Sequence, residues 1–356
     1  MTVTRQLRQI GQSIWLDNIT RALLESGTLA RYIDELGVTG LTSNPTIYDR
    51  AIGGSGDYDA QIAAGAAAGE PAEEIFFGLA LDDLTRAADL FRPIHDATGG
   101  IDGFVSLEVS PELAYDAATT LAEAKRLWAK GGRANLLIKI PGTPEGLVAI
   151  EDAIFAGIPI NVTLLFSPAQ YLACAAAYTR GIERRVAAGL PAYVPSVASL
   201  FISRWDGAVK GKVPADLELA LGLAVGQRAY ADALAFFAGD RWAALIAAGA
   251  RPQRLLFAST GTKDPTASPT LYVTGLAAPD TVNTIPEETL LAAGRDTSLA
   301  RPIATSPAAA DAMLARFAGA GIDVDALGLE LQQKGAASFV ASWTSLLARV
   351  GEKSGA

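Results

Sequence analysis

The chain has 356 residues, 50% of them hydrophobic, which supplies a large core and leaves no case for disorder. Its formal net charge is −9 with no basic run, which argues against nucleic acid and anionic membrane surfaces as partners. The single cysteine, Cys174, excludes an intrachain disulfide and fits a reducing compartment.

In chain order, Arg5, Arg8 and polar neighbours occupy the place where a signal peptide is apolar, so a cytoplasmic location is expected. Short apolar, β-rich runs then recur at residues 13–19, 39–42, 103–109, 135–140, 158–166, 193–200, 254–259 and 271–274. Amphipathic stretches alternate with them, among them 73–91, 112–130, 216–237 and 308–317. Residues 60–69 are Ala/Gly-rich and read as a loose surface segment. The uncharged run 153–179 contains Pro159, Asn161 and Pro168, so it reads as strand, turn and helix rather than a membrane span. Ser110-Pro111, Thr143-Pro144, Ser167-Pro168 and Ser306-Pro307 each place a capping hydroxyl before a proline at the first helical position.

Eight strand–helix units predict an α/β fold, a (β/α)8 TIM barrel with extra helices, forming one domain over residues 1–356. A C-terminal helix around 322–350 is expected to fold back over the barrel mouth. An open doubly wound sheet is the alternative, although no G-x-G-x-x-G follows a strand.

In a barrel the strand C-termini converge on one face. The ends here offer Asp17, Asn44, Glu108, Lys139, Asn161 with Thr163, Ser199 and Ser259. Lys139 lies in Leu136-Leu137-Ile138-Lys139-Ile140, where an ammonium inside a strand is costly unless paired or neutralised. A desolvated lysine amine is the group that attacks carbonyls. Taken singly, a lysine paired with a carboxylate or reaching water is the commoner explanation. Asp17 suits a general base or a helix cap, and Glu108 an acid/base or a salt-bridge partner. Thr42-Ser43-Asn44-Pro45 also fits a plain turn. Asn161 and Thr163, two apart, share one face of a strand. Arg204 fits a phosphate ligand in a late-strand loop or a surface salt bridge with Asp206, and Lys263 lies in the loop after Ser259. With His95 as the only histidine, a Ser-His-Asp triad or a His-rich metal site has little to draw on.

These segments together resemble the transaldolase family. Leu41-Thr42-Ser43-Asn44-Pro45-Thr46 is similar to its T-x-N-P signature, and Asn135 to Pro141 to its Schiff-base lysine strand. Ile160-Asn161-Val162-Thr163, Ser106-Leu107-Glu108-Val109 and Ser199-Leu200-Phe201-Ile202-Ser203-Arg204 complete the order. The resemblance implies transfer of a dihydroxyacetone unit from fructose 6-phosphate or sedoheptulose 7-phosphate to an aldose phosphate, in the non-oxidative pentose phosphate pathway. It assigns catalysis to Lys139, Asp17, Glu108 and Thr163, and substrate binding to Asn44, Asn161, Ser199, Arg204, Ser259 and Lys263. It implies phosphorylated sugars as partners, no cofactor, no metal, and a monomer or homodimer. Gly261 stands where many relatives carry arginine, and Lys263 is the expected substitute. A fructose 6-phosphate aldolase releasing free dihydroxyacetone is the nearest alternative. Glu108 favours the transferase, since the aldolase relatives usually lack a glutamate there. A non-catalytic sugar-phosphate-binding barrel, and a module of a fused polypeptide, are the others.

Overall fold

The computed structural model describes residues 1–299 and 301–355, so residue 356, where the expected single domain ends, lies outside the described residues. Eight strands form the sheet: β1 (Ser13–Leu16), β2 (Gly40–Thr42), β3 (Val105–Glu108), β4 (Leu136–Pro141), β5 (Ile160–Leu165), β6 (Ser196–Phe201), β7 (Arg254–Ala258) and β8 (Val282–Ile285). They are ordered β1 to β8 around a closed ring, every neighbour parallel, with β8 returning to β1. Closure excludes the open doubly wound sheet. All strands except the fringe of β7 are buried on both faces, so they read as apolar runs rather than alternations.

One predicted strand is a helix. Residues 271–274 lie in the helix Leu271–Gly275, and the eighth strand is Val282–Ile285. The run Leu-Tyr-Val-Thr has strand propensity, but a short apolar run does not distinguish strand from buried helix. The true strand is Val-Asn-Thr-Ile, in which buried Asn283 and Thr284 interrupt the apolar run.

The capping device holds in two of four places. Thr143 Oγ1 accepts from Gly146 N at 3.0 Å, and Ser167 forms a reciprocal capping box with Gln170. Ser110 opens a short 3-10 turn without a side-chain cap, and Pro307 precedes, rather than begins, the helix Ala308–Gly319. The stretches 112–130 and 216–237 are each split: a 3-10 turn comes first, then helices Ala117–Gly131 and Leu221–Phe237. Residues 60–69 are not loose, since Asp59–Ala67 is a helix, as alanine propensity favours. Among the described residues no helix is long and apolar enough to cross a membrane.

The helix Val324–Ser354 spans 31 residues and crosses the C-terminal mouth of the barrel as a strap. A Cβ added at Gly328 would come within 3.1 Å of Ser167 and 3.2 Å of Trp205, and Gln332 Nε2 donates to the carbonyls of Gly142 (3.0 Å) and Leu164 (2.9 Å). Further along, Trp343 packs edge-on to Phe76, and Arg349 pairs with Asp49 at 2.7 Å. Each fully buried large apolar side chain on this face, such as Leu346, contributes roughly 1.5–3 kcal/mol. At the opposite end of the barrel, Asp102 accepts from Ser13 Oγ and Trp15 Nε1, and Arg254 donates to Ser13 Oγ. His95 packs against Phe104 just before β3, away from the strand C-termini.

Candidate active site

The strand C-termini enclose a cavity of about 740 Å³ lined by Asp17, Asn44, Lys139, Thr163, Ser199, Arg204, Ser259 and Lys263. Glu108 and Asn161 sit beneath its floor, 4% and 0% exposed. The predicted residues therefore gather at one end of the barrel, eight on the cavity wall and two as supports.

Lys139 and Glu108 are register partners on β4 and β3. Their side chains meet at 3.0 Å between Nζ and Oε2, with Lys139 Nζ also donating to the Ser43 carbonyl at 3.1 Å. The pair is almost solvent-free, 6% and 4% exposed at the side chains, and the polar partners offset the desolvation of the ammonium. Burial pushes the Glu108 carboxyl up, Lys139 opposes this, and nearby Asp17 adds to it. Asp17 extends β1, its N–H donating to Ile285 O at 2.9 Å. It faces the cavity yet is enclosed by barrel wall, so desolvation also pushes its carboxyl up. The charge on Lys139 and the hydroxyl of Thr42, which donates at 2.8 Å, hold it back. Asp17 is not a helix cap; Thr20 caps the following helix by accepting from Leu23 N. Two carboxyls that favour their protons above the usual range are stronger bases than in water.

Asn161 is spoken for at both ends: Nδ2 donates to Ser106 Oγ at 3.0 Å, and Oδ1 accepts from Ser199 Oγ at 2.7 Å. It holds Ser199 and the floor in place. The ladder between β5 and β6 shifts register between Val162 and Leu165, and Leu164 adopts φ 60. This bulge turns the Leu164 carbonyl to Gln332 and sets Thr163 on the wall. Thr163 Oγ1 and Glu108 Oε1 are buried and have no hydrogen-bond partner among the described residues. Asn44 Oδ1 caps the helix Pro45–Gly54 by accepting from Ile47 N at 3.1 Å, and the residue also lines the cavity.

On the opposite side of the mouth, Ser259 has φ 55 and its hydroxyl lies 3.0 Å from Ser203 Oγ. A left-handed non-glycine residue at a strand end is the kind of strain that collects at functional sites. Arg204 makes no pair with Asp206, which is buried and accepts from Leu221 N and Tyr272 Oη. Instead its guanidinium lies 5.2 Å from the Phe201 ring and 5.9 Å from Phe339, lowered by burial. Lys263, at the rim, is held below the ordinary lysine range by desolvation and then by the charge of Arg204. Two cations repelling each other over one cavity suit an anion between them. An added Cβ at Gly261 would come within 3.0 Å of Pro286 Cγ, so a side chain there meets a rigid neighbour.

Phe339 and Gln332 on the strap, Thr42, Thr284 and Ser106 went unassigned in the sequence. Thr42 bridges Asp17 and Thr284, whose hydroxyl is 2.7 Å away. Gln332 stands in the polar run Gln332-Gln333-Lys334, so nothing in the sequence singles it out. A second cavity of about 780 Å³ opens at the other end of the barrel, around Ser13, Tyr171, Tyr193 and Arg254. The donors of Arg254 and Tyr193 there are spent on backbone carbonyls and Ser13. Among the described residues, no group of three or more His, Cys, Asp or Glu is placed to hold a metal ion.

A closed parallel barrel with a lysine–carboxylate pair and a second carboxyl at its C-terminal mouth has the build of an aldolase-type enzyme. Residues 14–350 match the model of the Transaldolase/Fructose-6-phosphate aldolase family, and the chain belongs to that family. It is 43% identical to a transaldolase of Thiobacillus denitrificans, covering 99% of this chain and 100% of that one. It is 44% identical to a transaldolase of Arthrobacter sp. (strain FB24) over 98% and 96% of the two chains. Against transaldolase 2 of Nostoc sp. (strain PCC 7120) the identity is 40% over 96% and 95%.

Proposed function

We propose that the protein is a transaldolase that carries a dihydroxyacetone unit from a ketose phosphate to an aldose phosphate on Lys139. The observation that carries this reading is the solvent-poor pair of Lys139 and Glu108, with Asp17 on the same wall. A proton passes from the Lys139 ammonium to Glu108. The freed amine attacks C2 of fructose 6-phosphate or sedoheptulose 7-phosphate, giving a carbinolamine. Loss of the C2 oxygen as water, with protons relayed by Glu108 and Thr163, leaves an imine. Asp17 takes the proton of the C4 hydroxyl, the C3–C4 bond breaks, and its electron pair moves into the imine as an enamine. The aldose phosphate leaves as an aldehyde. The enamine carbon then attacks C1 of erythrose 4-phosphate or glyceraldehyde 3-phosphate, Asp17 returns the proton to the new alkoxide, and hydrolysis frees Lys139.

Arg204 and Lys263 meet the phosphate, with Ser259 beside them. Asn44 and Ser199 face the three-carbon hydroxyls, and Asn161 orients Ser199. The unpaired oxygens of Glu108 and Thr163 support a water-handling role. The reaction belongs to the non-oxidative pentose phosphate pathway, in the cytoplasm, by a monomer or homodimer. Light scattering and cell fractionation test the last two points.

The experiment is borohydride trapping with fructose 6-phosphate, followed by peptide mapping. A reduced dihydroxyacetone adduct on Lys139 is expected. An unmodified Lys139 beside an adduct elsewhere, or no adduct, overturns the reading. Free dihydroxyacetone formed without an acceptor would indicate the aldolase reaction instead.

A further inference from the structure

Arg204 has to present a guanidinium to a phosphate, yet no described polar side chain orients it. Its contacts are ring faces. Phe201, at the end of β6, belongs to the barrel wall, whereas Phe339 belongs to the strap. The two rings stand 6.4 Å apart at 62°, both within 6 Å of the Arg204 carbon. Phe339 is 5% exposed and lines the cavity.

The strap is built to deliver that ring. Gln332, Gly335 and Phe339 follow at helical spacing and share one face. Gln332 ties the helix to the carbonyls of Gly142 and Leu164. Gly335 permits close approach: an added Cβ would lie 3.0 Å from Leu164 Cδ2 and 3.2 Å from Arg204 Nη1. One turn later, Phe339 covers the guanidinium and comes within 5.7 Å of Lys139 Nζ.

We propose that Phe339 is a positioning residue for the phosphate end of the site: its ring holds the Arg204 guanidinium against Phe201 so that the fork faces the cavity. The inference rests on the ketose-phosphate reading of that cavity. A long arginine held in advance loses less freedom when substrate arrives, and ring faces attract a cation without competing for its hydrogen bonds. The strap thereby takes part in choosing phosphorylated substrates.

The test measures kcat and KM for fructose 6-phosphate with erythrose 4-phosphate as acceptor, and competitive inhibition by inorganic phosphate. The variants are Phe339→Leu, Phe339→Tyr and Phe339→Met. Phe339→Leu is expected to raise KM and the phosphate inhibition constant together, roughly tenfold, with a much smaller change in kcat. Phe339→Tyr, which keeps the ring face, is expected to restore both to within about twofold. Unchanged constants in Phe339→Leu, or an equal loss in the leucine and tyrosine variants, overturn the proposal. Should the leucine variant not fold, Phe339→Met, which keeps a long apolar side chain and removes the ring face, decides: both constants are expected to rise, and unchanged constants overturn the proposal. If the unaltered protein does not turn over fructose 6-phosphate, the functional reading fails first and the inference with it. Failure in the variants alone leaves that reading standing.

Discussion

Lys139 and Glu108 sit opposite each other in register on adjacent parallel strands, and their side chains close to 3.0 Å inside the barrel. Parallel register is therefore what brings the amine and its proton partner together. Lys139→Arg keeps a cation for Glu108 but cannot form the imine. It is expected to fold and to bind inorganic phosphate, while borohydride trapping and transfer both fall to background.

Glu108→Gln separates chemistry from charge balance. Loss of the proton carrier is expected to lower kcat by about 10²–10⁴-fold, read in a coupled assay. The same change leaves the Lys139 ammonium buried without its counter-ion, which costs about 3–5 kcal/mol in urea unfolding. A variant with wild-type kcat would remove Glu108 from the mechanism.

Asp17 carries a pH signature. Its carboxyl is raised on folding, so the folded protein holds that proton more tightly than the unfolded chain does. Such a group favours folding below its unfolded value and costs stability as pH rises through its folded value. Asp17→Asn removes the cost and keeps the Thr42 hydrogen bond through the amide oxygen. The variant is expected to be inactive, to exceed wild type in thermal midpoint at about pH 7, and to lose that advantage near about pH 3. In the unaltered enzyme the acid limb of kcat is expected above the ordinary aspartate range. A stability difference independent of pH would contradict this.

Arg204→Ala removes the half-buried cation facing the rim lysine. Losing charge-assisted bonds worth about 1.5–3 kcal/mol is expected to raise KM for the ketose phosphate roughly 10–100-fold. Lys263→Ala, at an exposed position, is expected to act less strongly and to depend more on salt. Steady-state kinetics at two ionic strengths check both.

Gln332→Leu tests the strap attachment. It leaves the carbonyls of Gly142 and Leu164 without their partner, at about 1–3 kcal/mol. Lower stability in denaturant, with faster hydrogen exchange along Val324–Ser354, is expected. Unchanged protection of that helix would show that its other contacts suffice.

Most of the barrel was legible because buried parallel strands leave continuous apolar runs, as in Leu136 to Ile140. The eighth strand was not, because buried Asn283 and Thr284 interrupt its apolar run, leaving only Val282 and Ile285 to mark it. Thr260 Oγ1, just past β7, donates to Asn283 Oδ1 at 2.8 Å, a partner for the buried amide oxygen that no local pattern announces. Arg204 illustrates the same limit in the site. Read as an isolated arginine, it favoured a salt bridge to Asp206 over a phosphate contact, and the buried hydrogen bonds of Asp206 removed that reading.

Local order in the chain thus specified the alternation of strand and helix, the caps at Thr143 and Ser167, and the polar residues that end the strands, Asp17, Glu108 and Lys139 among them. Those features depend on neighbours within a few residues or on one recurring period. Pairings across long separations were out of its reach: Lys139 with Glu108, Thr42 with Asp17, and Phe339 with Arg204. Only barrel closure and the docking of the strap bring such groups within contact, because the entropy of closing long loops is offset by the core as a whole rather than by any one segment.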